Sequence, residues 1–391
     1  MADTETTGTE RDQKPDEIER ARRYERGSLW LRLVNAGTIA VALVVFLLSG
    51  ASVWLRDAVA DVSGNVWLQV ALFTAILVTV WSVATPPWEY ITGFRREHRY
   101  GLSTQTMGNW LADQAKGFVL SLVLTIVVLE GAYLLLREAG GAWWLWAAGG
   151  MVLLSVVFTI LGPVLFIPLF YKLQRIEDAS LTERLTRIAE REGAQVIGVY
   201  RMGMSAKTRK ANAMVAGLGR TQRIILGDTL MDGFPADEID VVVAHEVAHY
   251  RHRDLWKGIG VSAAITLVGL FIASRVLDTL ADRGPLKGPA DLAALPLLLL
   301  TFGVYGLVTL PLGNTYSRWR ESLADRAALR ATGLVEAFIR AMRRLAMLNL
   351  SNPTPHPLVE TIFYSHPSIA RRIAMAERFD ARSDVRTLGT D

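Results

Sequence analysis

Six long apolar runs constrain this chain more than any other feature of its sequence. A membrane-spanning helix needs about 20 predominantly apolar residues, and runs of this kind lie at 30–55, 66–92, 118–136, 143–171, 257–277 and 293–314. Hydrophobic residues make up 51% of the chain and are concentrated in these runs. Since backbone polar groups in lipid must be satisfied within each segment, the sequence predicts a mainly α fold, a polytopic helical membrane bundle of about six spans.

The charges that flank the runs predict the orientation of the bundle. Cytoplasmic loops carry an excess of Lys and Arg, and segments 20–32 and 93–102 are basic, whereas 56–65 is net acidic. The N-terminus is therefore expected in the cytoplasm, and an even number of spans returns the C-terminus there. The bias toward Arg, Ala and Val indicates a GC-rich bacterial genome, so we expect an integral protein of the bacterial inner membrane.

The polar stretches between the runs predict the domain organisation. Short apolar segments at 196–204, 211–218 and 223–228 read as strands, and Pro235 suits the first turn of a helix to about residue 252. This pattern predicts a small α+β unit at the cytoplasmic face. The predicted segments are a disordered basic cytoplasmic tail at 1–29, a four-span region at 30–171, a catalytic subdomain at 172–256, two further spans at 257–314 and a cytoplasmic segment at 315–391.

The run HEVAH at 245–249 indicates a metal site. His245 and His249 are four residues apart, so on a helix they project from one face and can reach one zinc ion at about 2.0–2.1 Å. Glu246 lies beside them, where it can act as general base toward a water that the metal activates. The chain has only six His and no Cys, which makes an accidental HExxH rare and excludes thiolate ligands.

A catalytic zinc site needs a third protein ligand and an open position. His252 is near in sequence, but a straight helix does not bring it to the same ion as His249. Glu321 is preferred, because it begins a predicted helix just beyond the last run, with Asp325 one turn later on the same face and able to bond a ligating His. An ordinary solvated face stays open as the alternative, because the pair is surrounded by Arg318, Arg320 and Arg326.

Two segments together carry a resemblance to a known family. HEVAHYRHRD (245–254) and ESLADRAAL (321–329) resemble the integral-membrane zinc peptidases that include the type I CAAX prenyl proteases and the HtpX heat-shock proteases. The likeness covers most of the chain from about 85 to 375 and is closer to the CAAX prenyl protease branch. It continues through RREHRYGLSTQT (95–106), PLFYKLQRIED (168–178), NAMVAGLGRTQRIILGDTLM (212–231) and SHPSIARRI (365–373).

The resemblance assigns roles that spacing alone leaves open. It implies that Glu321 is the third zinc ligand and Asp325 its supporting partner. It implies that His366 and Arg372 face the cleft, where they bind substrate or stabilise a tetrahedral oxyanion. It also implies an exposed strand edge for an extended substrate at Asn212 and Ala213, which otherwise read as an ordinary sheet strand.

The predicted function is zinc-dependent endopeptidase activity with one zinc ion and no covalent intermediate. The expected substrates are peptides or unfolded membrane-associated proteins, and a net charge of only +4 gives no case for nucleic acid. An HtpX-like quality-control protease and a non-catalytic zinc-binding scaffold or holdase are the alternatives. The scaffold is disfavoured because a structural site has no use for Glu246. A protease with its motif inside the bilayer is disfavoured because 227–240 is too polar for hydrocarbon.

Overall fold

The computed structural model describes residues 15–388, with side chains described for residues 15–380 except Arg220. In this range six helices are long and apolar enough to cross a membrane: Pro15–Leu48, Val66–Ala84, Met107–Glu138, Gly140–Phe170, Asp254–Leu280 and Leu292–Thr332. These helices correspond to the six predicted runs. The prediction of a mainly α membrane bundle with about six spans is therefore confirmed.

The N-terminal part of the chain is almost entirely helical. A π-helical turn at Gly162–Phe166 contains Pro163 and interrupts the regular α-helix of the fourth run. Pro has this effect because it lacks the amide hydrogen that the α-helix requires. A second π-helical turn occupies Tyr90–Arg95. The helices are α1 (Pro15–Leu48), α2 (Ala51–Val62), α3 (Val66–Ala84), α4 (Pro86–Glu89), α5 (Arg96–Arg99), α6 (Met107–Glu138), α7 (Trp143–Leu161) and α8 (Ile167–Phe170).

The first apolar run, 30–55, is divided between two helices, so the first span ends at Leu48 rather than near residue 55. Gly50 adopts φ 79°, a left-handed conformation that Gly enters at little cost and that interrupts the helix. The chain resumes as α2, which buries Leu55 and Val59 against the bundle core. A run of apolar residues does not reveal such a break, because hydropathy contains no information on the backbone angles of a single Gly.

The predicted disordered tail is helical from Pro15 onward, so the prediction for 1–29 was wrong over residues 15–29; residues 1–14 lie outside the described residues. The helix is held by tertiary contacts that its polar composition does not show. Ala21 and Tyr24 are buried in a small cluster with Leu102 and Leu350. This part of α1 therefore docks on the polar region of the protein before the helix enters the bundle.

Residues 172–256, the predicted catalytic subdomain, form a four-stranded sheet with helices packed against it. The strand order is β1-β2-β4-β3, with β2 parallel to β4 and the other two pairs antiparallel. The predicted strands at 211–218 and 223–228 are present as β3 and β4, which form an antiparallel hairpin, and β3 lies at the sheet edge. The elements are β1 (Leu173–Arg175), α9 (Ala179–Arg191), β2 (Val199–Met202), β3 (Ala213–Ala216), β4 (Arg223–Gly227), α10 (Asp228–Gly233) and α11 (Ala236–Arg251).

One long helix connects the bundle to the catalytic subdomain. The last apolar run and the predicted helix beyond it form a single helix of 38 residues. Its membrane part packs closely on the preceding span, where the Tyr305 hydroxyl donates to the carbonyl of Ile265 at 2.7 Å. The C-terminal elements are α12 (Asp254–Leu280), α13 (Leu295–Thr332), α14 (Val335–Asn349), α15 (Pro357–Phe363) and α16 (Ile369–Leu388).

Candidate metal centre

The motif helix α11 occupies Ala236–Arg251, close to the predicted range of 235–252. Pro235 precedes its first turn, and Asp237 and Glu238 complement the positive end of its dipole. Glu238 is fully buried, and its carboxylate lies 2.9 Å from Nε of Arg344 on α14. A buried carboxylate needs such a partner, so this ion pair fixes the start of α11 against α14. It thereby helps to orient the face of α11 that carries HEVAH.

Three side chains from two helices converge on one point. His245 Nε2 lies 3.3 Å from His249 Nε2 and 3.2 Å from Glu321 Oε2, and His249 Nε2 lies 3.5 Å from Glu321 Oε1. A tetrahedral ion with bonds of 2.0–2.1 Å requires ligand atoms about 3.3–3.4 Å apart. Glu321 Oε2 is also buried without a well-directed hydrogen bond. The three groups therefore fit a single metal ion, and among the described residues they are the ones that converge in this way.

Each histidine has a carboxylate beside its other ring nitrogen. Asp325 Oδ1 lies 2.9 Å from His245 Nδ1, and Asp325 is itself bound by Arg372 through Nε at 2.9 Å and Nη2 at 2.5 Å. This forked contact is buried, which fixes both the carboxylate and the guanidinium. Such a chain directs the Nε2 of His245 toward the metal position and raises its basicity.

The partner of His249 is Asp254, a residue that the sequence analysis did not assign. Asp254 Oδ2 lies 2.8 Å from His249 Nδ1, and its other oxygen accepts a hydrogen bond from Arg320 of α13. Arg253 has φ 55°, so the chain reverses there and brings Asp254, the first residue of α12, back toward α11. The available signal was the segment HEVAHYRHRD, which ends on this Asp.

Electrostatics in the metal-free protein favour a cation between these groups. Burial alone lowers the pKa of His245, but the adjacent carboxylates of Asp325 and Glu321 more than offset this and raise it to about 10. These carboxylates therefore favour positive charge at the position that a metal ion would occupy. Burial raises the pKa of the Glu246 carboxyl, which brings this group closer to the neutral range in which a general base works best.

His245 of the metal group and the adjacent Glu246 line a cleft of about 430 Å³. His366 and Arg372 both line this cleft, as the resemblance implies, and His366 Nε2 lies 3.4 Å from Glu321 Oε1. Arg372 directs two of its nitrogens to Asp325, so part of its donor capacity is already used. The cleft is also lined by Glu25 and Arg32 of α1. Glu25 lies in the predicted tail, 1–29, and Arg32 in the first apolar run, 30–55.

The edge strand β3 begins at this cleft, which Asn212 and Ala213 line. The carbonyl of Asn212 accepts from the Gly227 amide at 2.9 Å, so the alternation of an antiparallel pair turns the amide and carbonyl of Ala213 away from β4. Ala213 is buried and directs its main-chain groups away from β4, while Asn212 uses its carbonyl within the sheet, and both residues line the cleft. Beyond β3 a second cavity of about 880 Å³ extends past Glu246 and His249.

Comparison with known proteins gives the same result for both halves of the chain. Residues 9–172 match the family model described as CAAX prenyl protease N-terminal, five membrane helices, and residues 175–380 match that of peptidase family M48. An uncharacterized metalloprotease of Bacillus subtilis, YhfN, is 30% identical over 369 residues, which span 93% of this chain and 86% of the relative. CAAX prenyl protease 1 of Saccharomyces cerevisiae is 26% identical over 330 residues, spanning 78% and 71% of the two chains.

A solved structure shows that the whole fold is shared. The crystal structure of S. mikatae Ste24p matches with a TM-score of 0.83 at 20% identity, over 94% of this chain and 90% of the other. The fold and the site together define a membrane-embedded metallopeptidase. The chain belongs to peptidase family M48 and is related to the CAAX prenyl protease Ste24. The predicted family and the predicted enzyme class are thereby confirmed.

Proposed function

We propose that this protein is a zinc-dependent endopeptidase whose metal is held by His245, His249 and Glu321. The observation that carries the proposal is the mutual spacing of their ligand atoms, 3.2–3.5 Å, which matches the edges of one tetrahedral site. Two imidazoles and one carboxylate favour zinc, since magnesium and calcium prefer oxygen ligands throughout. Because the chain has no Cys, thiolate ligands are excluded, and two imidazoles with one carboxylate are a ligand set known from catalytic zinc sites.

The side chains around this position supply the remaining chemistry. A bound zinc polarises the scissile carbonyl and lowers the pKa of a water. Glu246 takes the proton of the attacking water and delivers it to the leaving amine. His366 faces the cleft beside Glu321 and donates toward the oxyanion that develops on the carbonyl. Arg372 keeps Asp325, and through it His245, in a fixed orientation.

The substrate is a peptide or an unfolded membrane-associated protein that enters the cleft in an extended conformation. Its main chain adds to the edge of β3 at Ala213, because that residue directs its amide and carbonyl outward. Asn212 contacts the same segment through its side chain. The similarity to relatives named CAAX prenyl protease 1 supports a substrate that is presented at a membrane. A protease with an HtpX-like quality-control role would instead cleave many different unfolded segments.

The active site faces the cytoplasm, and the protein resides in a bacterial inner membrane. The basic segments 20–32 and 93–102 meet at the catalytic end, where Arg20 donates to the carbonyl of Tyr100 at 2.5 Å and Arg96 lies over the ring of Tyr24. The natural chain has no Cys, so single Cys substitutions can be labelled without interference. Arg99→Cys should react only with a reagent that enters the cytoplasm, and labelling by an impermeant reagent in intact cells would reverse the orientation.

The variant Glu246→Gln tests the proposed reaction. The purified variant in lipid vesicles should keep about one zinc per chain, because the substituted residue is not a ligand, and should lose at least about 10³-fold in peptide cleavage. Glu190→Gln, an exposed carboxylate on α9, serves as the matched control and should cleave like the natural chain. Unchanged cleavage by Glu246→Gln would refute Glu246 as the general base and with it the proposed mechanism, whereas a natural chain that binds zinc but cleaves no peptide would favour the scaffold.

A further inference from the structure

The connection between α15 and α16 carries His366 and offers its side chain little packing. The imidazole is 59% exposed. Among the described residues its polar side-chain contacts are with Ser365 Oγ, 2.9 Å from Nδ1, and Glu321 Oε1, 3.4 Å from Nε2. A group so exposed is not fixed by its own surroundings, so its position depends on how the backbone of residues 364–368 is held.

Helix α13 holds this connection from one side. Arg318 Nη1 donates to the carbonyls of Glu360, Thr361 and Tyr364 at 2.9, 3.1 and 2.6 Å, which satisfies the C-terminal end of α15. At the far end of the connection, the amide of Ser368 donates to the buried carboxylate of Glu360 at 3.0 Å. Because α13 also carries Glu321, these contacts tie the backbone around His366 to the frame of the metal group.

Helix α1 holds the same connection from the other side. The hydroxyl of Tyr364 donates to the carboxylate of Glu25, and both residues line the catalytic cleft. Burial and the neighbouring Glu25 raise the pKa of Tyr364, so the hydroxyl keeps its proton and remains a donor. The neighbouring residue Tyr24 donates to Glu97 at 2.5 Å, so this turn of α1 is itself fixed to the segment after the second span.

We propose that Glu25 is a positioning residue for His366. Through Tyr364 it fixes the backbone of residues 364–368, and so sets the distance at which His366 meets a substrate carbonyl. The first membrane helix thereby becomes part of the catalytic apparatus, although it contributes no ligand to the metal. This inference rests on the proposed role of His366. Groups that stabilise a transition state must be held to about 0.5 Å, and a misplacement of 1 Å can cost about 100-fold in rate.

A purely structural role for Glu25 makes a different prediction. If the contact with Tyr364 only fastened α1 to the catalytic subdomain, its loss would lower the unfolding temperature and leave the kcat of the folded enzyme unchanged. A positioning role lowers kcat at temperatures where the protein is fully folded. The two roles therefore separate in kinetics measured well below the unfolding transition.

Peptide cleavage by variants in lipid vesicles provides the first test. Glu25→Ala and Tyr364→Phe should each lower kcat about tenfold with KM changed less than about twofold. Glu25→Gln should retain most of the activity, because its amide oxygen still accepts the hydroxyl proton. Glu19→Ala is the matched control, a carboxylate on the same helix that is 55% exposed, and should behave like the natural chain. An unchanged kcat in Tyr364→Phe, or a Gln variant as impaired as the Ala variant, would overturn the proposal.

A double-mutant cycle with His366→Ala supplies the second test and separates the two proposals. If Glu25 acts through His366, then Glu25→Ala should cost less than about twofold once His366 is absent. Full additivity of the two losses would overturn the positioning role of Glu25 while leaving the role of His366 intact. An unchanged kcat in His366→Ala alone would instead overturn the role of His366, and the positioning role with it. Should Glu25→Ala fail to fold, Tyr364→Phe takes its place in the cycle.

Discussion

Replacement of Asp254 by Ala should weaken zinc binding without removing a ligand. Asp254 Oδ2 accepts from His249 Nδ1 at 2.8 Å, and its second oxygen accepts from Arg320. Loss of such a partner typically lowers metal affinity 10- to 100-fold, which corresponds to about 1.4–2.7 kcal/mol. The reason is that the imidazole loses both its fixed orientation and the carboxylate that increases its basicity.

The same change also leaves a buried cation without its partner. The side chains of Asp254 and Arg320 are 11% and 8% exposed, so the pair is shielded from water. Breaking a buried ion pair on one side costs about 3–5 kcal/mol of stability. Asp254→Asn separates the two effects, because its amide oxygen can still accept from His249 while the charge that balances Arg320 is lost. We expect the Asn variant to lose stability, yet to hold zinc within about tenfold of the natural chain.

Zinc affinity is measured by competition with a chelating indicator in detergent, beside the unfolding temperature of each variant. Asp278→Ala is the matched control, because Asp278 lies on the same helix in an exposed pair with Arg275 and such pairs contribute at most about 1 kcal/mol. Affinity in Asp254→Ala within twofold of the natural chain would refute the reasoning, since it would show that His249 is oriented without this carboxylate.

Two further predictions concern packing and pH. Gly269→Ala should lower stability by about 1–3 kcal/mol, because the added Cβ would lie 2.7 Å from Cε1 of Tyr305. Gly258→Ala on the same helix is the control and should be neutral, because its Cβ would meet nothing within 4 Å. Equal unfolding temperatures for the two variants would contradict this prediction. Zinc affinity should rise with pH by up to about tenfold per unit below pH 10, because His245, with its pKa at about 10 without metal, must release a proton as the ion binds. Competition titrations at pH 6, 7 and 8, corrected for the chelator's own protonation, should show this rise, and a flat profile would contradict it.

The features that the sequence predicts well are those that local patterns encode. Six apolar runs give six spans, and the spacing within 235–252 gives the motif helix, because helix periodicity and bilayer thickness act on contiguous residues. The short apolar segments at 211–218 and 223–228 likewise predict the two strands that pair as β3 and β4. Spacing alone did not identify Glu321 as a ligand, because its helix surface is also rich in Arg. The resemblance to a known family predicted that it lies beside the two histidines.

The features that the sequence does not show depend on contacts between distant segments. Asp254 reaches His249 only because Arg253 adopts a left-handed conformation, which is unusual for a residue other than Gly. Glu25 lies 339 positions from its partner Tyr364, and its own neighbourhood is polar enough to read as a tail. In both cases the local pattern is consistent with a solvated residue, and only the packing of separate helices gives it a role.

The central claim is that two imidazoles and the carboxylate of Glu321 hold one zinc ion. X-ray absorption at the zinc edge, on protein loaded with one equivalent of metal, counts these ligands directly. The account predicts two imidazole nitrogens and oxygen donors at about 2.0–2.1 Å, with one imidazole fewer in His249→Ala and an unchanged imidazole count in Glu321→Ala. A third imidazole in the natural chain would contradict the account, because it would make His252 or His366 a ligand in place of Glu321.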